Sequence, residues 1–129
     1  EHDADIGIIG RGLTIEQSFE AAAHAVFAII TNIEAVQPLT GIEIEFDESD
    51  LELALVVWLN QILGKSRESG MVFGHFYVHR QNDHWHGKVL GEPWREGLER
   101  GVEVKGATLT MLSVKQTGPV WESRCVVDV

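Results

Sequence analysis

The residues with the most chemistry to offer stand at the two ends of the chain, His2-Asp3-Ala4-Asp5 and Asp128-Val129. If the first and last strands pair antiparallel, the start of one lies beside the end of the other and Asp5 approaches Asp128. An α-carboxylate on Val129, should the native chain end there, would join them. Hard oxygen donors of this kind suit Ca²⁺, Mg²⁺ or Mn²⁺ better than a thiolate-preferring metal. Two aspartates that simply face water at strand ends explain the same residues, so both readings stay open.

A second group is His75, His79, His84 and His86. With a short hairpin loop, His79, His84 and His86 fall on one face with His75 and Tyr77, and gathered imidazoles bind zinc or copper. That face lies opposite Phe76, Val78 and Trp85, so a solvated strand face is the expectation. Asp83 is the one carboxylate near them in sequence. The acidic run Glu43, Glu45, Asp47, Glu48, Asp50 and Glu52 alternates strictly at its start, as the outer side of a strand requires, and is read as surface. Lys105 is a mid-strand cation beside Gly106. It is placed to pair with Glu103 or Glu122 across a sheet, or to reach a phosphate or a partner's carboxylate. Cys125 has no base next to it in sequence and reads as a small buried hydrophobe.

The elements that must position these groups follow from periodicity and punctuation. Ala4 to Ile9 alternates as a short strand, ended by a Gly10-Arg11-Gly12 turn. Thr14 and Gln17 have capping-box spacing, and Ile15, Phe19, Ala22, Val26 and Ile30 form the stripe of a helix. Ile42, Ile44 and Phe46 face one way and Glu43, Glu45 and Asp47 the other, the cleanest strand pattern in the chain. Ser49 and Glu52 read as a second capping box. Asp50 suits the positive helix end, and Leu51, Leu55, Leu59, Ile62 and Leu63 follow as the apolar face. Lys65 and Arg67 occupy its last turns and Gly70 stops it.

From Met71 the pattern is β. A hairpin through Arg80-Gln81-Asn82-Asp83 puts Val72, Phe76 and Val78 on one face with Trp85 and Val89. Val102 to Lys115 reads as one long strand bent near Gly106, and Val120 to Asp128 as the last, with Gly118-Pro119 turning between them. This order predicts an α+β fold with two helices and a mostly antiparallel sheet, in one domain over residues 1–129.

Composition excludes several classes. The 129 residues carry 20 acidic against 10 basic side chains, a formal charge of −10. Unaided binding to a phosphate backbone is disfavoured, so RNA would be engaged only indirectly. A chain of this size buries roughly two-thirds of its unfolded surface without disulfides or a structural metal. The single cysteine makes a reducing, cytoplasmic setting the simplest expectation, and no apolar run is long enough to span a membrane. Neither G-x-x-x-x-G-K-[ST] nor G-x-G-x-x-G is present, which weakens any reading as a stand-alone ATP- or NAD-dependent enzyme.

His2-Asp3-Ala4-Asp5-Ile6-Gly7 resembles the H-x-A-D-[IV]-G signature that opens the archease family. The resemblance continues in order through the Thr14 to Thr31 helix, Asp50-Leu51 with Trp58-Leu59, Gly91-Glu92 and Val102-Glu103-Val104-Lys105. It closes on Val126-Val127-Asp128-Val129 and so spans the whole chain. Departures fall at Asp3, Gly106, Leu109-Thr110 and Trp94 to Gly101.

The resemblance implies one strand-helix-strand-strand unit nested in another, and an accessory protein rather than an independent enzyme. Archeases activate the tRNA-splicing type of RNA ligase, which joins 3′-phosphate or 2′,3′-cyclic-phosphate ends to 5′-hydroxyl ends. They promote its metal-dependent guanylylation with GTP, so that it turns over repeatedly. The resemblance assigns a divalent metal, calcium in some members, to Asp5, Asp128 and Val129, with His2 alongside and Lys105 as an activation residue. Two rival expectations are a chaperone-like modulator of RNA-modifying enzymes and a stand-alone metal-dependent hydrolase using Asp5 and Asp128.

Overall fold

The computed structural model describes residues 5–129. His2 and Asp3 therefore lie outside the described residues. In chain order the elements are β1 (Ile6–Gly12), α1 (Ile15–Ile30), β2 (Thr40–Asp47), α2 (Leu51–Ser69), β3 (Met71–Gln81), β4 (His84–Pro93), β5 (Gly106–Ala107), β6 (Ser113–Thr117) and β7 (Val120–Asp128), with a 3₁₀ turn at Ile33–Ala35. The fold is α+β with every strand pair antiparallel. The strands form two sheets rather than the single one expected. β7 takes β1 on one side and β5 and β6 on the other, while β4 is the centre of β2-β4-β3. The unit β2-α2-β3-β4 thus sits inside the chain between β1-α1 and β5-β6-β7, which is the nested arrangement.

α1 begins as its sequence predicts. Thr14 Oγ1 accepts from the Gln17 N–H at 3.0 Å, and Gln17 Oε1 accepts from the Leu13 N–H at 2.8 Å. α2 is capped one residue later than the Ser49 reading. Asp50 Oδ1 accepts from the N–H groups of Glu52 and Leu53 at 2.8 and 3.0 Å, since a carboxylate satisfies two orphan donors and the positive helix end together. Gly70 ends α2 with φ 70°.

The Gly10-Arg11-Gly12 turn is not formed; β1 runs straight through it. A Cβ on Gly10 would stand 2.3 Å from both the Ala22 nitrogen and the Ser18 oxygen, and one on Gly12 2.4 Å from the Gln17 Cβ. The glycines let the α1 backbone lie directly on the strand. At that contact the buried hydroxyls of Ser18 and Ser123 meet at 2.7 Å, which satisfies both inside an apolar layer.

Both helices pack on the sheets around a core of Phe19, Phe27, Trp58, Phe73 and Trp85. The Trp85 ring stacks on Phe19 with centroids 4.7 Å apart and on Phe46 at 5.9 Å. The Trp58 indole N–H donates to the Phe19 carbonyl at 3.0 Å, so a large buried ring leaves no donor unpaired. Val72, Phe76, Val78, Trp85 and Val89 are all buried, but only Phe76, Val78, Trp85 and Val89 share the expected face. A register shift between Phe73 and His75 sets Val72 opposite Glu92 and puts Phe73, opposite Gly91, on that face, where it and Phe76 both meet Phe27.

The expected strand from Val102 to Lys115 is not one strand. The N–H groups of Gly101 and Val102 donate to the Ile30 and Ile29 carbonyls at 2.7 and 3.0 Å, closing the C-terminal end of α1. Regular pairing with β7 covers only Gly106 and Ala107. The Thr108 N–H still donates to the Val126 carbonyl and the Val126 N–H to the Thr110 carbonyl, the run breaks at Met111 with φ 53°, and regular pairing resumes at Ser113. No described helix is long and apolar enough to cross a membrane.

Candidate functional site

The register of β1 on β7 ends with Ile6 opposite Val127. Asp5 immediately precedes Ile6 and Asp128 immediately follows Val127, so both exposed aspartates stand at the same end of this strand pair. The expected antiparallel pairing of the first and last strands is formed, and it sets Asp5 and Asp128 at one end of the pair. On the other side of β7, Gly106 pairs with Asp128, and the Lys105 N–H donates to the Asp128 carbonyl at 2.8 Å. One strand end thus carries Asp5, Asp128 and the exposed Lys105 together, with Val129 packed against the core beside them.

Lys105 pairs with neither Glu103 nor Glu122. Glu122 is taken by Arg11 at 3.0 Å and Arg124 at 2.8 Å, and these hydrogen-bonded guanidiniums hold its carboxyl below the usual glutamate range. The ion pairs among the described residues all lie away from Asp5, Lys105 and Asp128.

Two α2 residues unassigned from sequence hold the Lys105 segment in place. The Asn60 side chain forms a double clamp on Ala107, donating to its carbonyl at 3.2 Å and accepting from its N–H at 2.8 Å. Arg67 Nη1 donates to the Lys105 carbonyl at 3.3 Å. In sequence Arg67 reads only as a cation suited to the helix end, and its long-range contact has no local signal.

Arg67 also lines a groove of about 530 Å³ between α2 and the 94–104 segment, floored by Ile30, Leu63 and Val104. Across it the Arg100 guanidinium lies 4.0 Å from the centre of the Trp94 ring. A second groove, of about 630 Å³, runs past His24, Glu34, Gln37 and His75. Neither groove sets a hydroxyl or thiol beside a histidine. Cys125 is buried, and burial pushes its thiol up to about 11. Cys125 is therefore not an activated nucleophile.

Asp5 and Asp128 have the chemistry a hard cation needs, but two carboxylates fall short of the roughly six to eight oxygens that Ca²⁺ takes. Among the described residues no three His, Cys, Asp or Glu side chains are gathered to hold a metal ion. Further oxygens would have to come from water, from main-chain carbonyls or from a partner.

The histidines lie on the solvated face as expected, with carboxylates that the sequence reading missed. β2 on β4 sets Asp47 opposite His84 and Glu45 opposite His86, and β3 on β4 sets His79 opposite His86. Asp47 accepts from His84 Nδ1 at 2.9 Å and raises the imidazole pKa above its ordinary 6.5. Asp83, the neighbour in sequence, sits in the Asn82-Asp83 turn.

Known proteins resemble this chain along its whole length. The family model described as the archease protein family (MTH1598/TM1083) matches residues 1–129. The archease of Sulfolobus acidocaldarius is 36% identical over 132 residues, covering 100% of this chain and 95% of the relative. That of Pyrococcus furiosus is 36% identical over 135 residues with the same coverage. The solution structure of Methanobacterium thermoautotrophicum protein 1598 superposes with TM-score 0.81 at 27% identity, covering 100% of this chain and 95% of that one. A Thermotoga maritima crystal structure, titled an archease and possible chaperone, shares the fold with TM-score 0.73 at 20% identity, covering 100% and 94%. With its full-length match to the family model and relatives of this identity, the chain belongs to the archease family.

Proposed function

We propose that this chain is a non-catalytic accessory protein that activates an RNA ligase of the 3′-phosphate-joining type. It promotes the ligase's metal-dependent guanylylation and multiple turnover, in tRNA splicing or RNA repair. The observation that carries the reading is the meeting of Asp5, Asp128 and Lys105 at one exposed strand end. Carboxylates and a cation displayed outward are suited to completing another protein's site.

In this reading Asp5, Asp128 and Val129 hold a divalent ion, Ca²⁺ in the first instance with Mg²⁺ or Mn²⁺ as alternatives. When bound, the ion supplies positive charge against phosphate oxygens. Lys105 adds a fixed cation on the same side, and Asn60 and Arg67 keep its backbone in place. His2 accompanies the opening signature. The charge of −10 leaves contact with RNA to the ligase, in a cytoplasmic setting.

The test is ligation by the cognate ligase at tenfold excess of RNA with GTP and Mn²⁺, with and without this protein and its Asp5→Ala and Asp128→Asn variants. Many turnovers with wild type and about one with either variant is the expected result. Unchanged turnover with wild type overturns the reading.

A chaperone-like modulator of RNA-modifying enzymes is the second reading, favoured by the description of the Thermotoga maritima neighbour as a possible chaperone. Co-purification with a methyltransferase in place of a ligase would support it.

A further inference from the structure

The exposed face of β2-β4-β3 presents a second set of donors, far in sequence from Asp5 and Asp128 and independent of the ligase reading. His84 and His86 are alternate residues of the central strand β4, so both imidazoles rise from the same face. Glu45 lies between them. Its Oε2 is 3.8 Å from His84 Nε2 and 4.0 Å from His86 Nε2. Glu43 Oε1 stands 2.5 Å from His86 Nε2, and the His79 ring meets the His86 ring edge-on with centroids 5.6 Å apart.

We propose that His84, His86 and Glu45, joined by Glu43, form a binding site for a borderline divalent transition-metal ion of the Zn²⁺ class. Two imidazole nitrogens and carboxylate oxygens are the ligand set such ions take. Neighbouring ligands around tetrahedral zinc stand about 3.3 Å apart, given zinc–nitrogen bonds of about 2.0 to 2.1 Å. The two Nε2–Glu45 separations, 3.8 and 4.0 Å, are wider than this by about half to three-quarters of an ångström. The His86–Glu43 hydrogen bond is shorter by a somewhat larger amount. As placed, the donors therefore do not yet enclose one point, in keeping with the absence of a gathered metal cluster among the described residues. The site therefore requires these side chains to rotate, and Glu43, Glu45, His84 and His86, each at least 39% exposed, are free of packing that would prevent it.

The surroundings orient the ligands. Asp47 holds His84 by Nδ1, which leaves Nε2 facing Glu45, the arrangement in which a carboxylate fixes ring and tautomer for a metal on the other nitrogen. Directly behind the site, Trp85 lies between His84 and His86 in sequence and is fully buried against Phe19 and Phe46. The strand that carries both imidazoles is thus anchored from the opposite face.

The experiment is calorimetric titration of ZnCl₂ into the whole protein prepared without a histidine tag, with Co²⁺ absorption as a second readout. The variants are His84→Ala, His86→Ala, Glu45→Gln, Asp47→Asn and Asp128→Asn, each checked for an unchanged melting temperature. One equivalent of Zn²⁺ with micromolar affinity is expected, together with a tetrahedral Co²⁺ spectrum. Binding should weaken at least tenfold in His84→Ala, His86→Ala and Glu45→Gln and by about tenfold in Asp47→Asn, and should be retained in Asp128→Asn. Failure of wild type to bind Zn²⁺, or binding that survives His84→Ala and His86→Ala unchanged, overturns the proposal. Loss in Asp128→Asn alone would assign the ion to the other strand end and overturn it equally.

Discussion

Lys105 donates its main-chain N–H to the main-chain carbonyl of Asp128 across 2.8 Å. The two residues are thus held side by side by their backbones, and among the described residues no side-chain ion pair joins them. The position of each charge does not depend on the identity of the other side chain.

Lys105→Ala should accordingly leave the fold untouched, within about 0.5 kcal/mol of wild type as for other surface replacements. If Lys105 serves the ligase, the same variant should lower its turnover by about tenfold, near 1.4 kcal/mol of lost stabilisation. Urea unfolding and the ligation assay separate the two quantities. A destabilised but fully active variant would make Lys105 a structural residue only.

Two glycines should respond in opposite directions. A Cβ on Gly87 would stand 2.4 Å from Trp58 Cζ3, in a ring already buried and hydrogen-bonded to Phe19. Gly87→Ala should therefore cost about 1 to 3 kcal/mol by overpacking. Gly64, inside α2, has nothing within 4 Å of the same position. Gly64→Ala should stabilise by about 0.5 to 1 kcal/mol through helix propensity and the unfolded chain's lost freedom. Denaturant midpoints of both variants decide the matter.

Glu92 places a carboxylate with 3% side-chain exposure against Arg95, at 2.7 Å, and against the Gln37 N–H, also at 2.7 Å. The Arg95 hydrogen bond, with that of Gln37, holds its pKa below the ordinary 4.5. A folded-state pKa depressed in this way gives stability that is present above 4.5 and is lost as pH falls through the folded value. The stability advantage of wild type over Glu92→Gln should be full at pH 7 and shrink below pH 4.5. Glu122, shifted the same way, will leave a residual acid slope in the variant. Urea midpoints from pH 7 to pH 3 test this, and a difference that grows on acidification would refute it.

Cys125 should be inert in the folded protein. It is 2% exposed and its thiol is raised to about 11, so almost no thiolate exists at pH 8. An aromatic disulfide reagent should react with it only after urea is added. Rapid reaction of the native protein would show that β7 opens readily.

Local physics made much of this molecule legible from sequence. Thr14 with Gln17 marked the start of α1, and the alternation of Ile42, Ile44 and Phe46 against Glu43, Glu45 and Asp47 marked β2, because caps and periodicities act within a few residues. The opening and closing motifs pointed to the family and to the meeting of Asp5 with Asp128. Tertiary contact decided the rest. Gly10 and Gly12 look like a turn until α1 lies on them, and the 102–115 segment alternates like a strand although its first amides are claimed by α1. The carboxylates beside His84 and His86 come from β2, some forty positions away, and only the register of β2 on β4 brings them there. Side-chain pattern is written along the chain, whereas the partner of each backbone amide and each charge is chosen by packing across it.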